Sequence, residues 1–256
     1  PELIKVMEKL LKRRICEKKL RTYYMDGRLF IKKTNEKYDV VISGVHAPSA
    51  LKNNRFFTSE FFREVKRILT EKGILFFHVT GSNYYSWELK MLNLSIFLAG
   101  KEAFRFVHVI PGHLNFFLLT DCPLQLSPDF FERRISSYDL RTRLISSPHL
   151  RYKLDEKKRE WFLKHMEDGE KVINRDFKPY GFFFHLAYEA NKISPSIGKF
   201  SYLFYGLKLK EIILCALFFS FCLIFFWMKK KGAPFVPISV FTTGFTMTVT
   251  ELILIF

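Results

Sequence analysis

Cysteine is scarce in this chain and nowhere clustered. Cys16, Cys122, Cys215 and Cys222 form no CxxC pair, which excludes a disulfide framework and the usual zinc and dithiol motifs. The seven histidines show neither HxxxH nor HExxH spacing, so no metal is expected. Acids are also few: 25 Asp and Glu stand against 41 Lys and Arg, a net charge of +16. A surplus of that sign suits nucleic acid or an anionic membrane surface. No nucleic-acid-binding motif accompanies it, so nucleic acid is not an expected partner. No internal repeat or low-complexity tract is present. Asn93-Leu94-Ser95 fits a glycosylation sequon but falls inside a predicted helix, where such a match arises by chance.

Charge is missing altogether from Ile212 to Met228, a run of 17 residues bracketed by lysines and ending near Trp227. That length is at the short end of what a helix needs to cross a bilayer, about 17–25 residues. The run therefore predicts an integral membrane protein with the lipid bilayer and neighbouring membrane helices as partners. The competing reading is a buried core helix, which at this length usually keeps a polar face. A second apolar stretch, Ala233 to Phe256, is interrupted by Glu251, a costly residue at membrane depth. The chain opens at Pro1 and closes at Phe256 in mid-pattern, as expected of a piece of a longer protein.

Ahead of residue 207 the pattern is that of a folded α/β domain. Leu3 to Arg14 has helical apolar spacing, and Leu20 to Met25 alternates weakly as a strand that delivers Asp26-Gly27-Arg28. A short helix is expected from Leu29. Tyr38–Ile42 is β-branched and closed by Ser43-Gly44. Thr58 caps a helix with apolar Phe61, Phe62, Val65, Ile68 and Leu69, stopped by Gly73. Ile74–Val79 reads as a buried strand and Tyr84–Leu98 as a helix. Phe104–Ile110 and Asn115–Thr120 read as strands joined by the turn Pro111-Gly112-His113, and so must be antiparallel. The rest of the alternation predicts parallel strands. From Asp121 to Pro179 the chain is polar and mostly helical. Pro179 to Ala190, PYGFFFHLAYEA, reads equally as an interfacial segment or as an ordinary amphipathic core helix. Three parts follow: residues 1–125, 126–206 and 207–256.

The segments Asp26-Gly27-Arg28, Tyr38-Asp39-Val40-Val41-Ile42, Pro48 and Asn54 to Phe62 resemble the spermidine synthase family. The likeness runs on through Val65–Leu69 and Gly73-Ile74-Leu75. Pro111-Gly112, Asn115-Phe116-Phe117, Leu150-Arg151-Tyr152 and Ile173–Pro179 are similar to a membrane-fused branch with transporter-like helices. The resemblance implies a partial methyltransferase-like, Rossmann-like sheet, then a helical region and transmembrane helices. It implies an adenosylmethionine-type cosubstrate, in the decarboxylated form for aminopropyl transfer, with Asp26 and Gly27 at its adenine. The Gly-rich turn and the ribose-binding acid would lie upstream of Pro1. It also implies a polyamine or other small acceptor and a cytoplasmic soluble domain.

One departure bears on the chemistry. The family sets acids after the fourth strand to hold a cationic amine and take its proton. Gly44 and Ala47 stand there, and neither can do so. His46, between them, is the one catalytic candidate, against the plainer reading of a solvated loop histidine. Asp26 has a plainer reading too, as a helix cap. Standard aminopropyl transfer is therefore not expected, and whether the chain is an enzyme is left open. A non-catalytic domain supporting a fused transporter and a methyltransferase on another acceptor are the alternatives. The edge left beside Tyr38–Ile42 is expected to be unpaired, with Leu20–Met25 displaced from the sheet or weakly attached to it.

Overall fold

The computed structural model describes residues 20–138 and 145–194, with isolated positions at 239, 243, 244 and 247. The chain divides into two compact units, residues 1–34 and 35–256. In the first, residues 20–26 form no strand, contrary to the alternation at Leu20–Met25. Helix α1 spans Gly27–Lys33 and is capped by Asp26. The expected helix at Leu3–Arg14 lies outside the described residues.

The second unit is built on four strands: β1 (Tyr38–Ile42), β2 (Leu69–Thr80), β3 (Phe106–Ile110) and β4 (Leu114–Thr120). Their order is β1-β2-β4-β3. β1 runs parallel to β2, while β4 is antiparallel to both β2 and β3. The sheet is therefore mixed, and the fold is α/β. The parallel pairing of Tyr38–Ile42 with the strand through Ile74–Val79 agrees with expectation, and so does the antiparallel turn at Pro111-Gly112. Among the described residues β1 pairs with β2 alone, which leaves it at the edge.

Helix α2 (Leu51–Asn54) and helix α3 (Ser59–Ile68) fill the crossover from β1 to β2. Thr58 caps α3, its hydroxyl accepting from the Phe61 amide at 3.3 Å. The chain then turns straight into β2 at Leu69, earlier than its apolar spacing suggests. Gly73 lies within that strand, not at a helix end. A Cβ there would sit 2.8 Å from the Leu69 Cβ, so the pairing irregularity between Tyr38 and Val40 needs a residue without one.

Period-two alternation puts Leu75, Phe77 and Val79 of β2, and Phe117 and Leu119 of β4, on one buried face. Phe77 stacks on Phe117 at 5.1 Å and on Phe62 of α3 at 5.2 Å, which binds helix to sheet. Burying each such ring contributes roughly 1.5–3 kcal/mol. Helix α4 (Trp87–Ala103) covers the same face with Leu89, Leu92, Ile96 and Ala99. Helices α5 (Pro128–Ser137), α6 (Ser147–Lys153) and α7 (Glu156–Glu167) follow, as the polar, helical composition predicts.

Helix α8 (Tyr180–Ile193) settles the aromatic segment as a core helix. It packs against α4, with Phe184, Ala187 and Ala190 buried. Asn93 of the sequon is fully buried and its amide donates to the Thr80 and Leu89 carbonyls, so it has no room for a glycan.

The expectation of an integral membrane protein with a cytoplasmic domain is corrected. Among the described residues no helix is long and apolar enough to cross a membrane. The longest, α4, has 17 residues, includes Glu88, Lys90, Lys101 and Glu102, and spends its apolar face on the sheet. At about 1.5 Å per residue, α8 with 14 residues reaches roughly 21 Å against a hydrocarbon core of about 30 Å. Ile212–Met228 and Glu251, on which the expectation rested, lie outside the described residues.

Candidate functional site

In an open α/β sheet, ligands gather at the carboxyl ends of parallel strands, where loops leave the scaffold free to vary. Here that means the segment after β1 and the segment after β2. Gly44, His46 and Ala47 all leave β1 in the loop toward α2. His46 is exposed, and its Nδ1 lies 2.8 Å from Nε2 of His78, a half-buried residue two positions from the end of β2. The rings are tilted by 56°. At this separation one imidazole donates an N–H and the other accepts, so the pair holds one shared proton when neutral.

Burial, and secondarily the charge His46 would carry, push the His78 pKa below the ordinary histidine value. The sequence pointed to His46 but missed His78. The available signal was its place in the alternation of β2, on the face opposite Leu75, Phe77 and Val79. The two positions lie 32 residues apart, and spacing alone could not join them.

Gly44 faces open space: a Cβ there would meet nothing within 4 Å. The missing acid at that position is therefore not imposed by crowding.

A buried polar knot supports the β2 end. Asn115 of β4 donates to Tyr85 Oη at 2.6 Å and to Asn93 Oδ1 at 2.8 Å, while its own Oδ1 accepts from the Gly112 amide. Burial raises the Tyr85 pKa to about 12, although hydrogen bonding from Asn115 and the Ser82 backbone pulls the other way. Tyr85 thus stays protonated at neutral pH. Gly81 passes so close that a Cβ would overlap the Gly112 carbonyl oxygen. The Pro111-Gly112 turn is in this way fastened to the end of β2.

A second knot holds the loop before α8. Asn174, fully buried, donates to Asn54 Oδ1 and the Phe57 carbonyl and accepts from the Gly181 amide. Asp176 accepts from the Thr58 hydroxyl at 2.8 Å, and Arg175 pairs with Glu60 and Glu102. The segment Ile173–Pro179 is thus a clasp on the β1–α3 crossover, a role its composition did not disclose.

Asp26 and Gly27 lie in the first unit. Asp26 Oδ1 accepts from the Arg28 and Leu29 amides, each at 3.1 Å, which is the geometry of a helix cap. Among the described residues no three His, Cys, Asp or Glu side chains are grouped to hold a metal ion.

Comparison with known proteins places the N-terminal part. Residues 1–114 match the spermine/spermidine synthase domain. A polyamine aminopropyltransferase of Prochlorococcus marinus (strain MIT 9312) is 40% identical over 79 residues, 29% of this chain and 28% of that protein. One from Prochlorococcus marinus subsp. pastoris is 33% identical over 136 residues, 49% of this chain and 47% of that protein. Polyamine aminopropyltransferase 2 of Aquifex aeolicus (strain VF5) is 34% identical over 107 residues, 41% of this chain and 22% of that protein. The chain thus spans less than half the length of these curated relatives.

Two solved structures superpose loosely. A probable spermidine synthase from Corynebacterium glutamicum gives a TM-score of 0.42 at 14% identity, covering 66% of this chain and 60% of that one. Human methyltransferase-like protein 13, solved in complex with SAH, also gives 0.42, at 16% identity, covering 57% of this chain and 70% of that one. The α/β assignment rests on the strand order and not on these superpositions. Residues 1–114 are thus similar to the spermine/spermidine synthase domain, and this part of the chain is similar to polyamine aminopropyltransferases.

Proposed function

We propose that the chain carries part of a spermidine synthase-like transferase domain whose proton acceptor is the His46–His78 pair, in place of the family's carboxylates. The observation that carries this reading is the 2.8 Å contact between the two rings at the carboxyl ends of adjacent parallel strands, beside Gly44 and Ala47. The cosubstrate is of the adenosylmethionine type, and when bound it supplies an electrophilic carbon next to a sulfonium. Asp26 and Gly27 suit its adenine, an acid and a bare backbone at a helix start.

The chain's own residues have two tasks. The acceptor's nucleophile must be neutral, and an ammonium ion is not. With its pKa held down, His78 is unprotonated at neutral pH, and the pair can take one proton by relay from His46 at the exposed end. The pair cannot do what paired carboxylates do, which is to hold a dication by charge. Standard aminopropyl transfer to a diamine is therefore weak or absent.

The test is a transfer assay with decarboxylated adenosylmethionine and putrescine, run beside cosubstrate binding. We expect no product with putrescine. Robust product that survives His46→Asn and His78→Asn would overturn the reading. A second reading, a methyltransferase on another acceptor, draws support from the lack of acids at 44 and 47. Methyl transfer from adenosylmethionine, lost in His78→Asn, would favour it.

A further inference from the structure

A cleft opens beyond the end of β2, between the Pro111-Gly112-His113 turn and helices α6 and α7. It encloses about 230 Å³ and is lined on one side by Ser82 and Asn83, on the other by Tyr152, Lys153, Lys158 and Trp161. Pockets for drug-sized ligands run to about 300–1,000 Å³, so this one suits a smaller molecule. No Asp or Glu lines it. Among the described residues neither Lys153 nor Lys158 forms an ion pair. Lys158 Nζ lies 3.6 Å over the Tyr152 ring and Lys153 Nζ 5.9 Å over Phe116. Lys158 Nζ also donates to the Tyr152 carbonyl at 3.4 Å, and neither an aromatic face nor a carbonyl neutralises the charge.

We infer that this cleft binds a small oxyanion, a phosphate or carboxylate, carried on a planar organic body. The lysines meet the oxyanion, with the Ser82 hydroxyl and the Asn83 amide as further donors within the lining. The Trp161 indole, stacked on His165 at 5.1 Å, offers an aromatic wall for the body. A polyamine is the wrong ligand here, because it would meet two cations and no acid. The inference stands whether or not the transfer reading does, since it concerns binding alone.

The experiment is calorimetric titration of the 256-residue chain with phenyl phosphate, benzoate, inorganic phosphate and putrescine. Phenyl phosphate or benzoate is expected to bind, more weakly as salt rises. Lys153→Met and Lys158→Met should each weaken binding by about tenfold or more, since a charge-assisted hydrogen bond is lost. Lys164→Met, an exposed lysine on α7, should leave it unchanged. Should the variants fail to fold, protection of Lys153 and Lys158 from reductive methylation by phenyl phosphate gives the same answer on the unaltered chain. Putrescine binding to the cleft, no binding by either aryl anion, or equal affinity in the lysine variants overturns the inference. Inorganic phosphate binding as tightly as phenyl phosphate overturns the planar body.

Discussion

At the scale of single residues, buried polar groups and open positions make opposite forecasts. Asn174 satisfies three partners in the core: Asn54 Oδ1, the Phe57 carbonyl and the Gly181 amide. Asn174→Ala strands all three, and each unsatisfied buried group costs about 1–3 kcal/mol. Urea denaturation should show a loss of at least about 3 kcal/mol in total, and a loss below about 1 kcal/mol would mean that the clasp is dispensable. Gly44 is the counter-case. With nothing near its missing Cβ, Gly44→Asp should shift stability by no more than about 0.5 kcal/mol. If acids at this turn are what a diamine needs, the same substitution should raise putrescine binding, measured by calorimetry. His46 was visible in the sequence because it stands between two positions where the family keeps acids. His78 was not, because a histidine in a strand carries no local mark of its partner.

At the scale of elements, β1 is the exposed one. Val40 is 54% and Ile42 68% exposed, and β2 is the strand's one partner among the described residues. A β-branched edge of this kind templates association with other chains. Val40→Lys or Ile42→Lys should lower light scattering on concentration while leaving the melting temperature nearly unchanged. Equal aggregation in both variants would shift the blame away from this strand. Helix α3 was legible in advance down to its Thr58 cap, because capping is local. Helix α8 was not placed, because an aromatic amphipathic stretch suits a membrane interface and a protein core equally well. Its contact with α4 decides between them, and contacts between segments a hundred residues apart leave no trace in periodicity.

At the scale of the whole molecule, protonation links scattered sites. Burial lowers the pKa of His78, His108 and His185, with Lys192 also lowering and Glu189 opposing the shift at His185. The unfolded chain binds protons at the ordinary histidine pKa of about 6.5, while the folded chain resists. Stability is therefore full above about pH 6.5 and falls as pH drops through that value toward the lower folded pKa values. Melting temperatures taken from about pH 8 down to pH 5 should decline over that window. His185→Leu should flatten part of the decline, since His185 Nδ1 is buried without a partner. A profile that is flat, or that rises in acid, would contradict the assignment.

The succession of the four strands from Tyr38 onward, the Thr58 cap, the Pro111-Gly112 turn and the likeness of the N-terminal part to the spermine/spermidine synthase domain were legible in the sequence alone. Each depends on neighbours a few residues away or on a run of residue types in fixed order. Only the tertiary structure decided that β4 lies between β2 and β3, that His46 meets His78, that Ile173–Pro179 clasps the crossover, and that lysines of α6 and α7 face a cleft free of acids. The physical reason is common to all four. Each is a contact across a long stretch of chain, chosen by which apolar faces can be buried together, and no local pattern encodes that choice.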